Sequence, residues 1–175
     1  MLSVRSDTVI TNCTFWNNSA SADGAIASVD AFPIITNCIF WNDSPHEITS
    51  YNTGGPVVTY CDVQGGYSGA GNIDIFPSFA NAGAGDFHLN ASSPCIDAGD
   101  NLAPSLPSTD YEGNTRVFPW WGFVDIGVDE YVFPPAGTYG DAKGDGDMSA
   151  QDYAAVRNIL LGRRYYNPGG DANME

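Results

Sequence analysis

Nine residues beginning at Ile10, I-T-N-C-T-F-W-N-N, return at Ile35 as I-T-N-C-I-F-W-N-D, and no other feature of the chain limits its fold so strongly. The offset is 25 residues, and a looser third copy, Val58-Thr-Tyr-Cys-Asp-Val-Gln64, follows 23 residues after the second. Three columns align: Ile10/Ile35/Val58, Cys13/Cys38/Cys61 and Phe15/Phe40/Val63. Cys13 and Phe15 alternate toward one side, as strand residues two apart do. Asn12 and Asn37 suit bends, because Asn tolerates left-handed backbone. A unit this short cannot bury its apolar stripe alone. Stacked copies can, so the period predicts a solenoid of short strands in which each coil covers its neighbour.

The four cysteines read as buried structural thiols. Three share one column, where side chains point the same way and are poorly disposed for a disulfide. There is no C-x-x-C pair and no converging zinc set. Trp16/Trp41 and Asn17/Asn42 read as a stacked face and an amide ladder, with sugar contact as the competing reading.

This pattern resembles the right-handed parallel β-helix of pectin-lyase-like proteins, over roughly Ser3 to Leu89. Asn72-Ile-Asp-Ile-Phe-Pro-Ser-Phe79, Gly85-Asp-Phe-His-Leu89 and Ser93-Pro-Cys-Ile-Asp-Ala-Gly99 resemble the closing coils of bacterial β-helix surface proteins. Asp110-Tyr-Glu-Gly-Asn-Thr-Arg116 and Asp125-Ile-Gly-Val-Asp-Glu-Tyr131 resemble the terminal strands that follow such coils. The expected division is parallel β-helix coils over 1–97 and a cap over 98–133. An open coil would leave unpaired backbone edges, so a cap is physically required. Asp97, Asp110, Arg116 and Asp125 read as an ion-pair and hydrogen-bond set that pins it, with Phe118, Trp120 and Trp121 over its apolar end.

A Pro-rich linker is expected over 134–138, where two prolines and a glycine end the sheet's hydrogen bonding. Beyond it, D-A-K-G-D-G-D-M-S-A-Q-D places Asp141, Asp145 and Asp152 at positions 1, 5 and 12 of a twelve-residue loop, with Gly146 at position 6. That is the EF-hand calcium arrangement with Asp at the last position. Asp147 offers its carbonyl at position 7, and Ser149 acts directly or through a water at position 9. Position 3 is Lys143, which has no oxygen to give and adds a positive charge, so affinity is expected to be modest. Tyr153, Val156, Ile159 and Leu160 then form an apolar stripe at helical spacing.

Gly170-Asp171-Ala172-Asn173 repeats Gly140-Asp141-Ala142-Lys143 at an offset of 30 residues. Calcium loop, helix, connector and second loop start resemble a type I dockerin over 139–175, with its second half truncated. The resemblance implies bound Ca2+ and a cohesin-like domain as partner. Where such modules carry small hydroxyl residues at loop positions 10 and 11, this chain has Ala150 and Gln151.

With 21 acidic against 6 basic residues and a net charge of −15, nucleic acid and anionic membrane are poor partners. No apolar run is long enough to span a bilayer, so membrane insertion is not expected. Met1 lacks a signal-peptide core after it, and a calcium module belongs where calcium is plentiful. The expectation is therefore a C-terminal fragment of a secreted or bacterial cell-surface protein. The repeats carry no Lys, Arg5 is their single Arg, and Asp30, Asp43, Asp62 and Asp74 share no column. His46 and His88 stand alone as sequence. No catalytic constellation emerges, and the preferred reading is a non-catalytic, calcium-docked part of a multimodular protein. The alternatives are the end of a polysaccharide lyase or glycoside hydrolase with its active site upstream, which would make polysaccharide a ligand, or a surface adhesin.

Overall fold

The computed structural model describes residues 1–117 and 122–132. Strands follow the short apolar runs: β1 Leu2–Val4, β2 Val9–Thr11, β3 Thr14–Trp16, β4 Ile26–Ala31, β5 Ile34–Thr36, β6 Ile39–Trp41, β7 Ile48–Gly54, β8 Val57–Thr59 and β9 Asp62–Val63. Every third strand pairs in parallel, giving three three-stranded sheets in the orders β1-β4-β7, β2-β5-β8 and β3-β6-β9. The described chain is thus mainly β, with parallel sheets built from successive copies of one unit.

The pairing register is that of the sequence columns. Ile10 faces Ile35, which faces Val58; Phe15 faces Phe40, which faces Val63. Phe15 and Phe40 stack with centroids 4.7 Å apart and rings 8° from parallel. The cysteine column carries the ladder through the corner: Ile39 N donates to Cys13 O and Asp62 N to Cys38 O, each at 2.9 Å. All four cysteines are free, and Cys38, Cys61 and Cys95 are fully buried.

The corner before each cysteine turns through positive φ, at Asn12 (50°), Asn37 (56°) and Tyr60 (51°). Asn pays little for this backbone, as the repeat predicted. The second bend behaves alike, with Asn17 and Asn42 at φ 56° and 63° and the Asn42 amide donating to Asn17 Oδ1 at 3.0 Å. Trp16 and Trp41 do pair across β3 and β6, yet they are half-buried rather than an open face. Phe79 and Phe76 meet them edge-on at 5.4 and 5.8 Å.

β10 (Phe79–Asn81) and β11 (Asp86–Leu89) break the pattern by pairing antiparallel, joined by a 3-10 turn over Ala82–Ala84. The segments that follow run along the asparagine corner. Asn12 Nδ2 donates to Asp125 O and Gly127 O; Asn37 Nδ2 donates to Asp100 O, and Asn37 Oδ1 accepts from Asp100 N. The approach is close. A Cβ on Gly127 (φ 104°) would lie 2.6 Å from Ile39 Cδ1, and one on Gly99 would lie 2.7 Å from Val124 O. Glycine is needed where these backbones meet.

The expected pinning set is present, and it holds chiefly by hydrogen bonds to backbone rather than by ion pairs. Asp110 Oδ1 accepts from the amides of Glu112, Gly113 and Asn114, while its Oδ2 accepts from Asn114 Nδ2 and Glu130 N. Asp125 accepts from Asp97 N at 2.6 Å and Tyr131 N at 2.7 Å. Buried Arg116 directs its guanidinium to the carbonyls of Gly127, Val128 and Asp129, with Glu130 Oε2 3.7 Å away. Carboxylates clamp backbone amides and the one arginine clamps carbonyls, because this irregular backbone has no strand neighbours to satisfy it. Burial, and then Asp125 beside it, push the Glu130 carboxyl up to about 10, so it stays protonated there. Phe118, Trp120 and Trp121 lie outside the described residues, as do the linker and the calcium loop.

Candidate functional site

His88 lies on β11 two residues after Asp86, so the two side chains share one face of the strand. Asp86 Oδ1 sits 2.5 Å from His88 Nδ1. The other ring nitrogen, Nε2, is 2.9 Å from Glu112 Oε2 and 3.1 Å from the Tyr111 hydroxyl. Glu112 and Tyr111 come from the turn that Asp110 ties down. Asp129 comes from the segment that Arg116 holds, and its Oδ2 accepts from Leu89 N at 2.8 Å. Three separate parts of the chain thus converge. One ligating atom each from His88, Glu112 and Asp129 all lie within 4.8 Å of one another.

The electrostatics follow from this crowd. Hydrogen bonding to Asp86, then to Glu112, raises the His88 imidazole to about 9, so it is an imidazolium among carboxylates at neutral pH. Burial raises the Asp129 carboxyl above its ordinary range, although the Leu89 amide and the His88 charge oppose that rise. Asp129 is 3% exposed, and its Oδ1 is buried with no hydrogen-bond partner among the described residues. His88 is therefore not the isolated histidine that the sequence suggested. The available signal was Asp86-x-His88, a strand spacing that pairs a carboxylate with an imidazole. Nothing local pointed to Glu112 or Asp129.

A second cluster lies in a cleft of about 410 Å3 lined in part by Asn42, Asp43, His46, Glu47, Gln64 and Tyr67. Asp43 Oδ1 accepts from the Asn18 amide at 2.6 Å and from the Asn18 side chain at 2.7 Å. Glu47 Oε1 accepts from Asp43 N at 3.2 Å. Asp43 Oδ2 and Glu47 Oε2 are both buried and without partners among the described residues. Burial, with Asp43 beside it, pushes Glu47 up to about 8, so one carboxyl of the pair is protonated at neutral pH. In the sequence Asp43 shares no repeat column with Asp30, Asp62 or Asp74. Its pairing depends on a four-residue turn that brings Glu47 back, which no repeat column could show.

Asp62 lies in the core, with Oδ1 accepting from Ile75 N and Oδ2 from the Cys95 thiol at 3.3 Å. Asp30 caps the Thr53 backbone and hydroxyl at the surface, and Asp74 accepts from Gly65 N. The predicted calcium ligands Asp141, Asp145, Asp147, Ser149 and Asp152 lie outside the described residues. Comparison of the chain with family models, with curated proteins and with solved structures finds no match in any of the three.

Proposed function

We propose that the chain is the closing end of a right-handed parallel β-helix in a secreted, multimodular protein, and that it serves as a scaffold rather than a catalyst. In this reading Asp141, Asp145, Asp147, Ser149 and Asp152 hold one Ca2+, and the loop and its helix dock onto a cohesin-type domain. The observation that carries the scaffold reading is the shared register of the repeat columns through two of the parallel sheets, β2-β5-β8 and β3-β6-β9. Such stacking lets a coil follow a coil without new contacts, and the asparagine-bound terminal segments then cover the chain's own polar backbone. Support for calcium comes from the loop spacing alone, in which carboxylates converge about a glycine turn.

Calorimetric titration with calcium tests the metal. One equivalent should bind, Asp145→Ala should abolish the uptake, and free calcium a hundredfold above its dissociation constant should stabilise the module by about 2.7 kcal/mol. Equal uptake by wild type and Asp145→Ala would overturn the calcium assignment. Retention on an immobilised cohesin domain, lost on chelation, tests the partner.

The Asp43–Glu47 cleft favours one other reading, contact with a polysaccharide. Two neighbouring carboxyls, one of them held protonated by burial, are the kind of pair that glycoside hydrolysis uses, and the cleft is polar enough for sugar hydroxyls. Incubation with pectin, alginate and xylan separates the readings. Product release that disappears in Glu47→Gln would establish the second, and no release supports the scaffold.

A further inference from the structure

We propose that His88, Glu112 and Asp129 form a binding site for a first-row transition dication of the Zn2+ type, distinct from the proposed calcium loop. One imidazole nitrogen with two carboxylate oxygens is a donor set suited to such a cation, whereas calcium and magnesium favour oxygen alone. The three ligating atoms already lie within 4.8 Å of one another. Bonds of 2.0–2.2 Å in tetrahedral array set ligands about 3.3 Å apart, so small rotations of the two carboxylates close the set around an ion.

Two independent observations point to a ligand rather than to an acidic surface. Asp129 Oδ1 is buried and has no partner among the described residues, on a side chain only 3% exposed. A buried carboxylate oxygen left unpaired is costly unless something binds it. The other is the support around the histidine. Asp86 holds Nδ1 at 2.5 Å, which leaves Nε2 turned toward Glu112, as metal-ligating histidines are oriented by a carboxylate on their far nitrogen; the ion displaces the Nε2 proton of the imidazolium, which leaves to solvent. Glu112 and Tyr111 are exposed, so an ion can enter from solvent and keep a water in its fourth position. The ion would join β11 to the turn at Asp110 and the segment at Asp129, three pieces with no common strand pairing.

The test is calorimetric titration of the full chain with ZnCl2 in saturating calcium, added to fill the proposed calcium loop. One equivalent of Zn2+ is expected. Glu112→Gln, an exposed position, should melt as the wild type does without metal yet bind Zn2+ at least ~10-fold more weakly. Asp129→Asn keeps an oxygen for the Leu89 amide and should lose binding to a similar degree. Cys13→Ser removes the half-buried thiol that bonding from Cys38 and the charge of Arg116 lower to about 7, and it should bind Zn2+ unchanged. Co2+ in place of Zn2+ should give visible bands that Glu112→Gln weakens. Absence of Zn2+ uptake, equal uptake by wild type and Glu112→Gln, or loss of uptake in Cys13→Ser would each overturn the assignment.

Discussion

The repeats and the terminal segments satisfy their backbones by opposite means. In β1 to β9 the strands of successive copies pair in parallel, and like side chains meet like: Phe15 on Phe40, Asn37 on Asn12. Between Cys95 and Tyr131 almost nothing repeats. Polar side chains take over, with Asp110, Asp125 and Arg116 each gathering several backbone groups. Repetition gives cheap stability but few places where unlike groups converge. The irregular segments give less regular hydrogen bonding but bring His88, Glu112 and Asp129 together. In this molecule the richest chemistry lies where the repetition stops.

The contrast breaks first at Phe40, which is fully buried in the repeat core. Phe40→Ala should cost about 3–5 kcal/mol and lower the melting temperature of repeats and terminal segments together, since the latter rest on the former. Melting of the terminal segments alone would show that the two do not depend on each other.

Asp110→Ala attacks the other side. It leaves the amides of Glu112, Asn114 and Glu130 without their acceptor and Gly113 N with only the Asp110 carbonyl, at an expected cost of about 2–3 kcal/mol. Hydrogen exchange should quicken over residues 95–131 while β5 and β6 keep their protection. Uniform loss of protection would merge the two regions into one cooperative unit.

Asp62 sits at their junction, in the repeat core and bonded to Cys95. Burial pushes its carboxyl up from 3.8 to about 7. The folded state therefore keeps a proton that the unfolded chain has already released. Stability from this group is full below about 3.8 and is lost as pH rises to about 7. Asp62→Asn removes the loss, so the variant should exceed wild type at pH 8 by on the order of 2 kcal/mol and match it near pH 4. Urea melts at the two pH values check this, and parallel behaviour of the two proteins would refute it.

The smallest effect is expected at Asn42, an exposed residue at φ 63° whose amide bonds Asn17. Asn42→Gly gives up one surface hydrogen bond but relieves the left-handed backbone, and should change stability by no more than about 0.5 kcal/mol. The same change at Asn37, which also holds Asp100, should cost several times more in the same melts.

The repeat columns, the bends at Asn12 and Asn37 and the free cysteines, buried save for half-buried Cys13, were legible in the residues. Each depends on a local preference or on copies one period apart, where resemblance between segments itself names the contact. Glu130, the Asp43–Glu47 pair and the companions of His88 were not legible. Asn12 reaches Asp125 across 113 residues, and Leu89 reaches Asp129 across 40, with no shared pattern to link them. Such pairs are set by how irregular backbone lies against the stack, and only the folded chain decides which oxygen is left buried without a partner.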